Sequence, residues 1–193
     1  MSLYSMAGDQ KIVEGGPVIE YIDQKTGVIP FIDRELVRNQ LDALIARESQ
    51  SVFGEEHQKR LQAALKQAQD VGAIYNNITL ETSFLDRTTG GATSIGRQFE
   101  QVAKMMVAGA GELQTERAGF IVTQDGFDTH SAMDETLNTK LSEIDSALEA
   151  FKTETSRLGL WDDVVVVTIS DFGRTLTPNS GSGTDHAWAG AAA

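Results

Sequence analysis

In three stretches between residues 34 and 111 the apolar positions recur every three or four residues, the spacing of helices buried along one face. "RELVRNQLDALIARE" (34–48) places Leu36, Val37, Gln40, Leu41, Leu44 and Ile45 at helical spacing, behind Asp33, whose side chain suits an N-cap. A second stretch, 55–71, carries Leu61, Ala64, Leu65 and Ala68, and the two predict an amphipathic pair packed on another layer. The third, "RQFEQVAKMMVAG" (97–109), has a stripe of Phe99, Val102, Ala103, Met106 and Val107; Thr93 or Ser94 caps it, and Gly109 or Gly111 ends it. Its methionine pair reads as core filler rather than as ligands. Ahead of it lies the hydroxyl-rich loop "DRTTGGATSIGRQ" (86–98), and residues 1–33 read as loop and short extended pieces with turns at "EGGP" and "GVIPF". The opening "MSL" resembles an expression scar and, with the closing "GAAA", is set outside the fold prediction.

From residue 118 the period changes. "AGFIVT" (118–123) is a short β-rich run and "DVVVVTIS" (163–170) a nearly continuous β-branched one. Between them "DETLNTKLSEIDSALEAFKTETSRL" (134–158) carries Leu137, Leu141, Ile144, Leu148, Phe151 and Leu158 as one helical stripe, with Ser131 and Asp134 placed as a capping box. A strand apolar on both faces belongs inside a parallel sheet covered by helices, and strand, long helix, strand makes a right-handed βαβ unit. The expected fold is therefore a single α/β domain over 1–193: an irregular lead-in (1–33), a mainly helical part (34–111) and a βαβ unit (118–190) in a doubly wound, mostly parallel sheet flanked by helices.

That topology directs attention to chemistry, because ligands of such sheets bind beyond the carboxyl ends of the strands. The loop after the first predicted strand is "QDGFDTHS" and the loop after the second is "SDFGRTLTPNSGSGTDHAWAG". His130 and His186 each sit in an Asp/His pair, "DTH" and "TDH", and Asp171 follows the second strand directly. Two imidazoles and the carboxylates of Asp128, Asp171 and Asp185 suit Zn²⁺, Mn²⁺ or Fe in one or two sites, with Mg²⁺ or Ca²⁺ as candidates where oxygen ligands suffice. The plain alternative is that Asp128 and Asp185 are turn formers. Arg174, in "SDFGRT", can pair two oxygens of an anionic substrate or form a salt bridge to a nearby Asp. Gly173, Gly181 and Gly183 would let the loop bend around a ligand, Asp125 and Ser170 are secondary candidates, and Trp188 walls the pocket or packs on the sheet. His57 reads as a solvated helix residue.

Composition narrows the partners. A net charge of −12, from 16 Lys and Arg against 28 Asp and Glu, opposes binding to nucleic acid or anionic membranes. The absence of cysteine excludes disulfides and thiolate ligands, so any metal must use His and carboxylate. No apolar run reaches the ~18–20 residues of a membrane span, and "MSLYSMAGDQKIVEGG" has neither the basic nor the apolar region of a signal peptide, so the expectation is a soluble chain. Oligomeric state is left open.

At "GFDTHS", "VVVVTISDFGRT" and "GSGTDHAWAG" the sequence resembles a family of exported bacterial proteins, domain of unknown function 1501. The order matches that family's "GxDTH" loop, long helix, "VVVxxSEFGR" strand and loop, and "GTDHG", with Asp171 where Glu is usual and Ala187 where Gly is usual. That family in turn resembles the alkaline-phosphatase-like superfamily of phosphatases, sulfatases and phosphomutases. The resemblance implies a metal-dependent hydrolase of phosphate or sulfate esters, exported or periplasmic, with a small anionic ester as substrate. Asp128 and His130 would serve one metal, Asp171 with His186 or Asp185 another, and Arg174 the substrate anion. Family members begin with a "GGNDG"-like segment that this chain lacks and continue past "TDHAWAG", so the chain is expected to be an internal fragment and its fold incomplete. The rival from another class is a binding or structural module of an exported assembly that keeps the fold without catalysis.

Overall fold

The β-rich run that opens at residue 118 forms a strand, and its partner lies at the other end of the chain. In the computed structural model, which describes residues 2–6, 20–23, 27–28, 39–40, 43 and 51–188, four strands make one sheet: β1 (Ser2–Ser5), β2 (Glu20–Asp23), β3 (Gly27–Val28) and β4 (Ala118–Ile121). Their order is β3-β2-β1-β4. β1 runs parallel to both β2 and β4, with Tyr4 opposite Phe120, and β2 is antiparallel to β3. Ser2–Ser5 is thus an inner strand of the sheet, so these residues belong inside the fold and not outside it as predicted. The Tyr4 ring stacks on Phe120 at 5.3 Å, and Tyr4, Ser5 and Met6 are all buried.

The chain divides into two compact units, Met1–Leu80 with Glu100–Val122, and Glu81–Phe99 with Thr123–Ala193. The first holds the four-stranded sheet and the helix α1 (Val52–Asn76), which extends the predicted 55–71 at both ends and packs beside β3. Val71 and Tyr75, one turn apart, face inward, while Glu56–Arg60 and Lys66–Asp70 pair at i,i+4 on the exposed side. The helix predicted over 34–48 lies mostly outside the described residues; Asn39, Gln40 and Ala43 of it are helical.

Helix α2 (Ser94–Ala110) gives its first residues to the second unit and the remainder to the first. The Thr93 hydroxyl accepts the Gly96 N–H at 3.1 Å, the capping contact expected of this position. Gly111 follows the last turn, its N–H bonded to the Val107 carbonyl. Phe99, Val102 and Ala103 are buried as predicted, but Met105 and Ala108 are buried in place of Met106 and Val107. In the second unit α3 (Met133–Arg157) matches the predicted long helix to within a residue at each end. Its start differs: Ala132 takes the N-cap position in a left-handed conformation, and Ser131 instead bridges Ser182.

Two predictions in the second unit need correction. The buried face of α3 is Ser146, Ala147, Ala150, Phe151, Glu154 and Thr155, whereas Leu141 is 55% exposed and Leu137, Ile144, Leu148 and Leu158 are half-buried. On this face Phe151 meets Phe99 of α2, their rings 5.1 Å apart. The run 163–170 is not a buried central strand: Val165 is 86% and Ile169 77% exposed, and it pairs with no strand among the described residues. β propensity favours extended backbone, as at Val164, but a strand needs a partner, and the parallel partner of β4 is β1 rather than this run. The strand pair of this unit is the short antiparallel ladder β5 (Gly173–Arg174) with β6 (His186–Ala187). No helix of the described residues is long and apolar enough to cross a membrane.

Candidate metal centre

Two buried threonines bring the candidate loops together. Along Asp128, Thr129, His130 the exposure alternates, so Thr129 is buried while its neighbours face outward. The Thr129 carbonyl accepts the N–H of Thr184, also buried, and fixes "DTH" beside "TDH". Upstream, the fully buried Gln98 amide mimics a strand partner for Thr123, accepting its N–H and donating to its carbonyl, both at 2.8 Å. Downstream, Gly183 packs so tightly on His130 that an added Cβ would lie 2.1 Å from the His130 carbonyl carbon. The loop glycine therefore serves close approach of two backbones rather than the cradling of a ligand.

β5 and β6 add the third element, since Arg174 and His186 are directly opposed in register. The outcome is a convergence on one atom. Asp128 Oδ1 lies 3.0 Å from His130 Nε2 and 3.0 Å from His186 Nε2, and Arg174 Nη1 donates to it as well. The two imidazole rings stack at 5.2 Å, and Phe172 packs on His186 at 4.5 Å. Partial desolvation pushes the Asp128 carboxyl up, but the Arg174 hydrogen bond and the nearby His130 and His186 outweigh it and hold it below the usual carboxylate range.

Asp128, His130 and His186 form the one group of the described residues in which three ligand atoms lie within 4.8 Å of one another. All three are about half exposed, so water and solutes reach them. The donor set fits a divalent cation. Three nitrogen groups crowd one carboxylate oxygen that has two lone pairs, and a cation bound by both Nε2 atoms and the oxygen resolves that crowding. Two histidines and one carboxylate are borderline ligands suited to Zn²⁺, Mn²⁺ or Fe²⁺ more than to Mg²⁺ or Ca²⁺.

The other predicted residues fall elsewhere. Asp185 does not join the three; its Oδ1 faces the far nitrogen of His130, Nδ1, at 3.3 Å. Its carboxyl is held low by the Asn179 amide and by His130. Asp171 is exposed and lies outside the group, as does Asp125, and Ser170 donates its hydroxyl to the Phe172 carbonyl. Arg174 is engaged at all three nitrogens: Nε to the Thr184 hydroxyl at 3.0 Å, Nη2 to the Thr184 carbonyl, and Nη1 to Asp128. Of the two readings open to it, the structure shows the salt bridge. Trp188 is fully exposed. Sequence reasoning passed over Asn179, Thr129 and Thr184. Asn179 sits in "PNSGSG", where composition says only loop, and nothing local marks a threonine that will be buried by a distant segment.

The family model described as "Protein of unknown function (DUF1501)" matches residues 8–193. The chain belongs to that family. No curated protein and no solved structure matches it.

Proposed function

We propose that this protein binds one divalent cation through Asp128, His130 and His186 and hydrolyses phosphate or sulfate esters there. The metal part is supported by a single observation, the convergence of two histidine Nε2 atoms on one carboxylate oxygen. The ester part rests on the resemblance of the three loop motifs to those of phosphatases and sulfatases. A bound cation would supply Lewis-acid polarisation of an ester oxygen. The chain's own residues do the positioning: Arg174 fixes Asp128 through a charge-assisted bond to Oδ1, and Thr184 fixes Arg174.

Hydrolysis of an aryl phosphate and an aryl sulfate, each measured with Zn²⁺, with Mn²⁺ and with excess chelator, tests this reading. Metal-dependent turnover is expected, falling on the order of a hundredfold or more in H130A, the scale of a lost charge-stabilising group. Stoichiometric metal with no turnover of either ester would favour the rival reading, a non-catalytic binding module.

A further inference from the structure

Resting on the metal reading above, we infer that Asp185, aimed by Asn179, is a positioning residue that orients His130 for the cation rather than a ligand itself. His130 has two ring nitrogens with different surroundings. Nε2 points to the shared oxygen of Asp128, and Nδ1 points away from it to Asp185 Oδ1 at 3.3 Å. A carboxylate on the far nitrogen holds the proton there, leaves the Nε2 lone pair for a metal, and makes the imidazole a stronger donor.

Asp185 is itself built into place. Its backbone carbonyl accepts the Thr175 N–H at 2.8 Å and its own N–H donates to the Thr175 hydroxyl at 3.1 Å. Its carboxylate accepts the Asn179 amide at 3.2 Å. The same amide nitrogen donates to the His130 carbonyl at 3.1 Å, while Asn179 Oδ1 accepts the N–H groups of Gly181 and Gly183. One side chain therefore sets the height of the histidine backbone, the path of the glycine loop and the direction of the orienting carboxylate. Such convergence is more than a turn requires, since an Asn in a turn satisfies only its own neighbouring N–H groups.

Competition for Zn²⁺ against a chromophoric chelator, on the full chain, separates the possibilities. D185A is expected to weaken Zn²⁺ binding by about 10–100-fold, and D185N by less because its amide oxygen still accepts from Nδ1. N179A should fall with D185A, and the thermal midpoint of metal-free D185A should stay near that of the parent, whereas N179A, which loses four hydrogen bonds, should also melt lower. In the Zn²⁺-loaded parent, histidine ¹⁵N spectra should show His130 bonded to metal through Nε2 with its proton on Nδ1. Unchanged affinity in D185A would overturn the inference. So would a loss in D185N as complete as in H130A, which would make Asp185 a ligand. If instead the parent binds no more Zn²⁺ than the H130A and H186A variants, the metal reading itself fails and takes this inference with it.

Discussion

Gly183 is the residue where a single methyl group decides the most. A Cβ there would sit 2.1 Å from His130 C and 2.4 Å from Ser131 N, both backbone atoms that cannot swing aside. G183A should therefore lower the unfolding free energy by about 1–3 kcal/mol, read from urea unfolding, through forced displacement of one loop. It should also weaken metal binding, because the displaced segment carries Asp185 and His186. Arg174 acts at the same scale: with its side chain 17% exposed and its donors spent on Asp128 and Thr184, R174K keeps the charge but loses the fork that spans both. Its metal affinity should drop while R174A drops further, and equal affinities in all three would show that the tie does not position Asp128. Among the site residues, the two histidines and Asp128 were legible in the sequence because their types are chemically distinctive and their spacing is short. Asn179 and Thr184 were not, because their roles exist only after residues about 50 positions apart have met.

The elements were legible where one face alone had to be satisfied. α3 was predicted nearly to the residue because its polar positions and helix formers leave little choice, yet its buried face was placed on the large aliphatic residues. Of the predicted stripe the structure buries Phe151, against Phe99 of α2, and it adds Ala147 and Ala150, a selection that no local pattern encodes. F151A should cost about 3–5 kcal/mol, as a large buried ring removed without collapse of its surroundings. The run 163–170 shows the opposite failure: strong β propensity was read as a core strand, and its valines are exposed. V165K should change stability by no more than about 0.5 kcal/mol, as an exposed site. A loss of several kcal/mol would restore the buried strand of the sequence reading.

At the scale of the whole molecule, charge sets the conditions in which the site works. A net charge of −12 attracts divalent cations and opposes anionic esters, so a group of two histidines and an arginine on one loop cluster is a local exception to the field around it. Acid stability depends on a different group, Glu154. Its side chain is fully buried, accepts Arg157, the Thr82 hydroxyl and the N–H groups of Glu81 and Thr82, and its carboxyl is pulled down to about 2 from 4.5, first by Arg157. A depressed carboxyl contributes stability that is present above its unfolded value and is lost as pH falls through its folded one. The advantage of the parent over E154Q should thus be full at pH 6, shrink below about pH 4.5 and vanish near pH 2, measured by urea midpoints. The sheet was the least legible feature at this scale, because β1 pairs with β4 across more than a hundred residues and parallel pairing leaves no turn signal.

The central claim is that Asp128, His130 and His186 together hold one cation. Metal content after loading with Zn²⁺ and exhaustive dialysis, measured by elemental mass spectrometry on the parent and on D128A, H130A and H186A, tests it most directly. The account predicts one equivalent per chain in the parent and a large loss in each variant. A parent that retains none, or variants that retain as much as the parent, would contradict it.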